Sequence, residues 1–391
     1  MARWVQLGVV LALLLAAAGT SATGKGPTVS LASRPSSVVA GRAWNAVVVV
    51  RGARPSAIPV TATSGTRRIS ASARRATGGR YRVPLVLPVA GRWALVARIG
   101  RKRFPLGAVR ARPRAPLPLV LSGPTEAAVD AAGSLLVVEN GANRVVRVDA
   151  ATGRVTTVVA EPRPFGLTLG PAGELYLSSG SSVLRFDAAG RRSTVAQMDA
   201  DVGPLATDVA GNVFFTTTTR IFRLAGGTGP AEHIAGTGVV GNAGDGGPAL
   251  AAQFDAPHGL AVIDGGLYFS DGGNDRIRRI DLATGIISAV APIVGPGGLA
   301  AGADGSLYVC EVRANRVLRF DRPGISSSST VVAGTGAKGS TGDGGPATAA
   351  RLDAPTDVAV AAGGTLFVPE GARSGRIRRI GPDGRISTLR R

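Results

Sequence analysis

The sequence predicts an all-β protein, a six-bladed β-propeller preceded by a small immunoglobulin-like β-sandwich. Three observations predict it. Hydrophobic residues are 45% of the 391, yet they fall in short Val-, Leu- and Ala-rich runs broken by 56 Gly and 25 Pro. Such punctuation marks many short strands joined by tight turns. A proline followed by a small-residue strand recurs at Pro124, Pro164, Pro204, Pro257, Pro296 and Pro355, at intervals of 40, 40, 53, 39 and 59 residues. The charge divides the chain in two: from Lys25 to Arg114 there are 19 Lys and Arg and no Asp or Glu, whereas after Arg114 there are 25 of each sign.

Residues 1–22 read as a Sec-type signal peptide. Arg3 supplies the basic start, "GVVLALLLAAA" the apolar stretch, and "TSA" at 20–22 the small-residue cleavage site. The apolar run is roughly 14 residues, short of the ~20 that a membrane span needs, and no Cys follows it to take a lipid. The expectation is a secreted, extracytoplasmic protein that is not integral to a membrane and acts as a monomer. Cys310 is the only cysteine, so no intrachain disulfide is possible and the thiol reads as core filler.

Residues 28–112 read as seven strands: "TVSLAS", "AWNAVVVVRG", "PVTATS", "RRISASARR", "RYRVPLVLP", "RWALVARIG" and "KRFPLGAVRAR". In the fifth, Tyr81, Val83, Leu85 and Leu87 alternate onto one face. Seven short strands in some 85 residues suit an immunoglobulin-like sandwich. The stretch "GGRYRVPLVLPVAGRWALVARIG" resembles YtkA-like and related bacterial immunoglobulin-type domains through its G-x-Y … P-x-x-G-x-W pattern. "ARPRAPLP" at 111–118 then serves as a Pro-rich linker.

Residues 119–391 repeat. After most of the prolines comes a turn and a second strand ("GSLLVVE", "GELYLSS", "GNVFFTT", "GGLYFSD", "GSLYVCE", "GTLFVPE"). A third follows ("RVVRVD", "SVLRFD", "RIFRLA", "RIRRID", "RVLRFD", "RIRRIG"), and usually a fourth. Four strands per unit of about 40 residues, six times over, is the pattern of blades stacked around a channel. Both "LPLVLSG" (117–123) and "RISTLRR" (385–391) are candidates for the strand that closes the ring.

"YFSDGGNDRIRRID" at 268–281 resembles the NHL repeat, with an Asp, then Asn and Arg in a turn, then an apolar-basic strand. "VENGANRVVRVD" and "CEVRANRVLRFD" match with Glu for Asp. The second and third units depart, with Ser179 and Thr217 where the acid belongs, and the last keeps Glu370 without the Asn. The resemblance covers about 70% of the chain. It implies the fold and, for activity, mostly binding of proteins, nucleic acids or glycans, with some members enzymes.

Two glycine-rich ribbons, 235–257 and 333–355, agree at 16 of 23 positions and lengthen the units that carry them. Extended units with G-D-G-G-P-A connectors are common in bacterial NHL proteins and in teneurin propellers. Asp245 and Asp343 read as caps of their own turns, with an ion site as the competing reading. Both ribbons are expected on the face that carries the ends of the second strands.

That face is the candidate ligand surface, rimmed by Glu126, Glu139, Asp271, Glu311, Asp357 and Glu370. If a divalent cation (Ca or Mg) binds, Glu139, Asp271 and Glu311 are the candidate ligands, since such an ion wants three or more oxygens. The structural alternative pairs each acid with a basic residue in the following turn, Arg144, Arg276, Arg316 or Arg376. His258, at the start of an inner strand, is the one candidate general base, because streptogramin-type lyases, which are also propellers, pair a His with a metal-bound Glu. No G-x-S-x-G, H-E-x-x-H or Walker loop occurs.

The expected function is that of an exported NHL-repeat binding protein of the bacterial cell envelope. The propeller is its ligand- or protein-binding scaffold, and the basic domain anchors it to an anionic envelope polymer or protein. Export argues against nucleic acid as the natural partner. The alternative is a metal-dependent hydrolase or lyase, lactonase-like or streptogramin-lyase-like.

Overall fold

A computed structural model describes residues 27–389, apart from short breaks at 33–34, 36–37, 41, 52–53, 89–90, 113–118, 150–152, 322, 325–327 and 372–373. The expected signal peptide and most of the linker lie outside the described residues. The chain divides into two compact units at residues 115 and 116. No helix among the described residues is long and apolar enough to cross a membrane.

The first unit is one eight-stranded sheet folded over a core. Its strands are β1 (Thr28–Leu31), β2 (Val38–Val39), β3 (Ala43–Arg51), β4 (Ala57–Ser64), β5 (Arg67–Arg75), β6 (Arg80–Val86), β7 (Gly91–Ile99) and β8 (Lys102–Arg112). They are joined in the order β1-β3-β6-β5-β4-β7-β8-β2. Seven are the strands expected from sequence, and two-residue β2 adds a parallel edge on β8. Strict alternation makes the core: Tyr81, Val83 and Leu85 on β6 and Trp93, Leu95 and Ala97 on β7 point inward, all fully buried. The arrangement is compatible with a β-sandwich.

The second unit is a propeller of six four-stranded meanders. Blade one runs Pro124–Val129, Leu135–Glu139, Arg144–Val148 and Val155–Ala160; blade two Pro164–Leu169, Leu175–Ser179, Ser182–Phe186 and Arg192–Gln197. Blade three runs Leu205–Thr207, Val213–Thr216, Ile221–Leu224 and Ala231–Ala235; blade four Pro257–Ile263, Gly266–Asp271, Arg276–Asp281 and Ile287–Pro292. Blade five runs Pro296–Ala301, Leu307–Glu311, Arg316–Phe320 and Thr330–Ala333; blade six Ala359–Val360, Leu366–Pro369, Ile377–Ile380 and Ile386–Thr388. First strands line a central channel of about 340 Å³. Second strands are covered on both faces, which is why they read as unbroken apolar runs (Leu135–Glu139 is buried throughout).

Each apolar core is shared by two successive blades. Leu136, Val138 and Val145 of blade one pack with Leu167, Leu177 and Leu184 of blade two. The sixth core closes the ring, bringing Val137 and Val146 of blade one against Phe367 and Ile377 of blade six, together with Leu119 and Leu121. Both candidate closing segments are used. The strand Ile386–Thr388 pairs with residues 378–380, while Val120 bridges Arg376 and the Leu121 N–H donates to the Gly375 carbonyl. The Leu119 N–H donates to the Leu389 carbonyl, so the first and last described residues of the propeller meet along one edge of blade six.

Candidate functional site

The six acids proposed for the rim fall into two sets. Glu139, Asp271 and Glu311 end their second strands and Glu370 directly follows its own, each opposite a recurring proline, and each is at most 4% exposed. Each accepts the backbone N–H two residues before that proline: Ser122 to Glu139 at 2.8 Å, Asp255 to Asp271 at 2.9 Å, Val294 to Glu311 at 3.3 Å and Asp353 to Glu370 at 3.2 Å. Each also takes a guanidinium from the third strand, from Arg144, Arg276, Arg316 and Arg378 respectively. A buried carboxylate so engaged satisfies an otherwise orphaned donor and its own charge. These four are latches that tie the blade's entry to its second strand. The partner of Glu370 is Arg378 rather than Arg376, whose guanidinium turns to the Ser340 carbonyl.

A carboxylate cluster for a divalent ion is not preassembled. Glu139, Asp271 and Glu311 sit on three different blades. Among the described residues no group of three or more His, Cys, Asp or Glu stands close enough to hold a metal ion. The oxygens of these three face arginines and backbone N–H groups, which is the wrong donor set for a cation.

Glu126 and Asp357 sit two residues inside the rim prolines, on the channel wall, where the other blades have Gly166, Ala206, Gly259 and Gly298. Glu126 accepts the Leu167 N–H of blade two at 2.8 Å, and Asp357 accepts the Ala127 N–H of blade one at 2.8 Å. They stitch three first strands together across the seam. Burial, then the neighbouring Asp357, pushes the Glu126 carboxyl well above the usual range, and burial lifts Asp357 to about 7. The folded state therefore holds these protons more tightly than the unfolded chain. The contribution of Asp357 to stability is fullest below pH ~4 and is lost as the pH rises through about 7, and that of Glu126 changes in the same sense. His258, whose pKa burial depresses, acts in the opposite sense as the pH falls, so the comparison must be with a variant. The melting temperature measured from pH 5 to 8 should fall more steeply in the wild type than in Asp357→Asn, which keeps an oxygen for the Ala127 N–H. Parallel curves would refute it.

The ribbons are answered by two residues that the sequence reading passed over. Arg278 and Arg378, on the third strands of blades four and six, are fully buried. Arg278 donates to the Gln253 and Ala243 carbonyls and to Asp245, and lies over the Phe254 ring at 5.3 Å. Arg378 donates to the Arg351 and Thr341 carbonyls, to Asp343 at 3.0 Å and to Glu370 at 3.1 Å. The ribbon folds over its arginine. Asp245 and Asp343 thus each pair with a buried guanidinium of the following blade. The Gly-rich turns do not form an anion nest, because the Gly246 and Gly344 N–H groups are spent on the Ile287 and Ile386 carbonyls of the fourth strand. Gly244 and Gly342 have φ near +100°, and a Cβ on either would strike Ala252 or Ala350. A signal was present: at the position of these arginines the four other blades carry Val146, Leu184, Phe222 and Leu318, and only the ribbon units read "RIRRI".

Blades two and three, which lack the latch, border a recess of about 490 Å³. Ser179 instead donates its hydroxyl to the Pro162 carbonyl. Phe165, Val202, Pro204, Pro257 and His258 form the walls of this recess, and Arg163 and Asp201 pair across its mouth at 3.4 Å. His258 meets Phe165 edge-on, with centroids 5.7 Å apart, and its Nδ1 is buried without a protein partner. Burial holds its pKa below the ordinary value, so the imidazole is neutral at pH 7. Cys310 is buried between blades five and six, and burial pushes its thiol up.

No family model matches the chain. Among curated proteins it is 34% identical over 153 residues to Teneurin-3 of Mus musculus, covering 32% of this chain and 6% of that protein. Among solved structures, a protein of unknown function from Bacteroides thetaiotaomicron aligns over 90% of this chain and 97% of its own, at 14% identity and a TM-score of 0.54. A virginiamycin B lyase from Staphylococcus aureus aligns over 71% of this chain and 88% of its own, at 20% identity and TM-score 0.48. A gluconolactonase from Xanthomonas campestris covers 66% and 86%, at 16% identity and TM-score 0.49. At these identities the likeness is one of fold.

Proposed function

We propose that the chain is an exported binding protein of the bacterial cell envelope. Its NHL-type propeller is the ligand- or protein-binding scaffold, and its immunoglobulin-like first unit is the anchor to an anionic polymer. One observation carries this reading. Every described Lys and Arg side chain from Arg42 to Arg110 is exposed, with no acid among them, whereas among the described residues the ion pairs, from Glu139–Arg144 to Glu370–Arg378, all lie in the propeller. One unit neutralises itself and the other awaits counter-charge from outside. Within the propeller, the ligand end is the recess of blades two and three, since four of the six rim acids are consumed as latches.

The full-length chain should bind polyanions at low salt and release them steeply as salt rises, because bound cations release condensed counterions. Titration of fluorescent polyphosphate at 50 and 300 mM NaCl measures this. No binding at the lower salt, or binding indifferent to salt, would sink the anchor reading.

The metal-dependent hydrolase or lyase is the second reading, and the neutral, partly unpartnered His258 in an open recess is what favours it. The carboxylate geometry supports its metal arm no further than that. Metal analysis of the purified chain, with melting curves in Ca²⁺, Mg²⁺ and chelator, separates the two readings.

A further inference from the structure

The register of the first unit sets arginines directly opposite one another. On the β7–β8 ladder Arg92 faces Arg110 and Arg98 faces Arg103; on β5–β6 Arg74 faces Arg82. All six are exposed. Side chains so opposed have Cβ atoms about 5 Å apart, and like charges there work against the fold. The unit contains no acid to relieve them; the Arg98 Nε–H donates only to a neutral acceptor, the Gly100 carbonyl, at 3.1 Å. Between the two β7–β8 pairs the outward side chains are Ala94 beside Ala108 and Val96 across from Pro105. The inward ones, Trp93, Leu95 and Ala97, are core. The face is therefore a smooth floor with a guanidinium pair at each end, six residues apart along β7, about 20 Å.

Resting on the anchor reading, we propose that this face is a phosphate-polymer site, where Arg92 and Arg110 hold one phosphate group and Arg98 and Arg103 hold another. A carboxylate offers two coplanar oxygens that a single guanidinium fork occupies, whereas phosphate oxygens point outward in several directions and accept two forks at once. The floor has no aromatic side chain on which a base would stack. Its small residues have nothing to insert into a bilayer. A flexible chain of phosphates without bases, able to span the floor, is the occupant that fits.

The test uses the full-length protein and long-chain polyphosphate at 100 mM NaCl. Arg92→Gln/Arg98→Gln/Arg103→Gln/Arg110→Gln is compared with a control that removes four other exposed charges, Arg42→Gln/Arg51→Gln/Arg54→Gln/Arg67→Gln. The paired variant should bind more than tenfold more weakly, with a salt slope flatter by about three, and the control less than threefold more weakly. The paired variant should also melt no lower than wild type, since opposed like charges have been removed. Equal losses in both variants would overturn the site but leave the anchor standing. So would tighter binding to polyglucuronate, to single-stranded DNA or to anionic lipid vesicles than to polyphosphate. A wild type that binds none of these would overturn the anchor reading itself.

Discussion

Glu370→Ala should destabilise the propeller by about 3–5 kcal/mol, the cost of leaving a buried guanidinium without its carboxylate. Arg378 and Glu370 are both fully inaccessible, and 3.1 Å separates their charged atoms. The Ser340 and Ser374 hydroxyls and the Asp353 N–H lose the same acceptor. Among the described residues Asp343 would remain as the one anionic partner of Arg378, and it is itself a third exposed. Urea unfolding followed by far-UV circular dichroism measures the loss. Tryptophan emission reports separately on the first unit, since Trp4, Trp44 and Trp93 all precede the propeller. Arg378→Leu installs the residue type that blade five has at that place, so the double variant Glu370→Ala/Arg378→Leu should recover part of the loss. A Glu370→Ala change under 1 kcal/mol would show that the latch does not carry the ribbon.

Leu119→Ala/Leu121→Ala should cost about 5 kcal/mol, near the lower end for two buried leucines. These residues are 3% and 5% exposed and fill the core between blades six and one. Val120 between them is 60% exposed, and Val120→Ala should change stability by less than about 0.5 kcal/mol. If the double variant unfolds at the wild-type urea concentration, the ring is closed by residues 386–388 without help from this segment.

The period of the prolines was enough to read six blades, and alternation was enough to read seven of the eight strands in the first unit. Both signals are local and repeated, so no single odd residue hides them. The site was less legible because its meaning lies in partners. Glu139 and Glu126 look alike in sequence, but one stands at a strand end within reach of Arg144 and the other two residues inside a proline on the channel wall. Arg278 reads as one more exposed cation until Gln253, Ala243 and Asp245, 25 to 35 residues earlier, fold over it. The departures of blades two and three were visible as Ser179 and Thr217. That their lost acids border a recess depends on the ring.

The described part of the propeller begins at its seam. Residue 119, the first described residue after the linker, is hydrogen-bonded to Leu389, and 121 to Gly375. If the first unit is held fast to a polymer, any tension on the propeller is delivered to this short edge before it reaches another blade. The ring would then open at the seam between blades six and one, and blades three and four, on the opposite side, would be the last to feel the load.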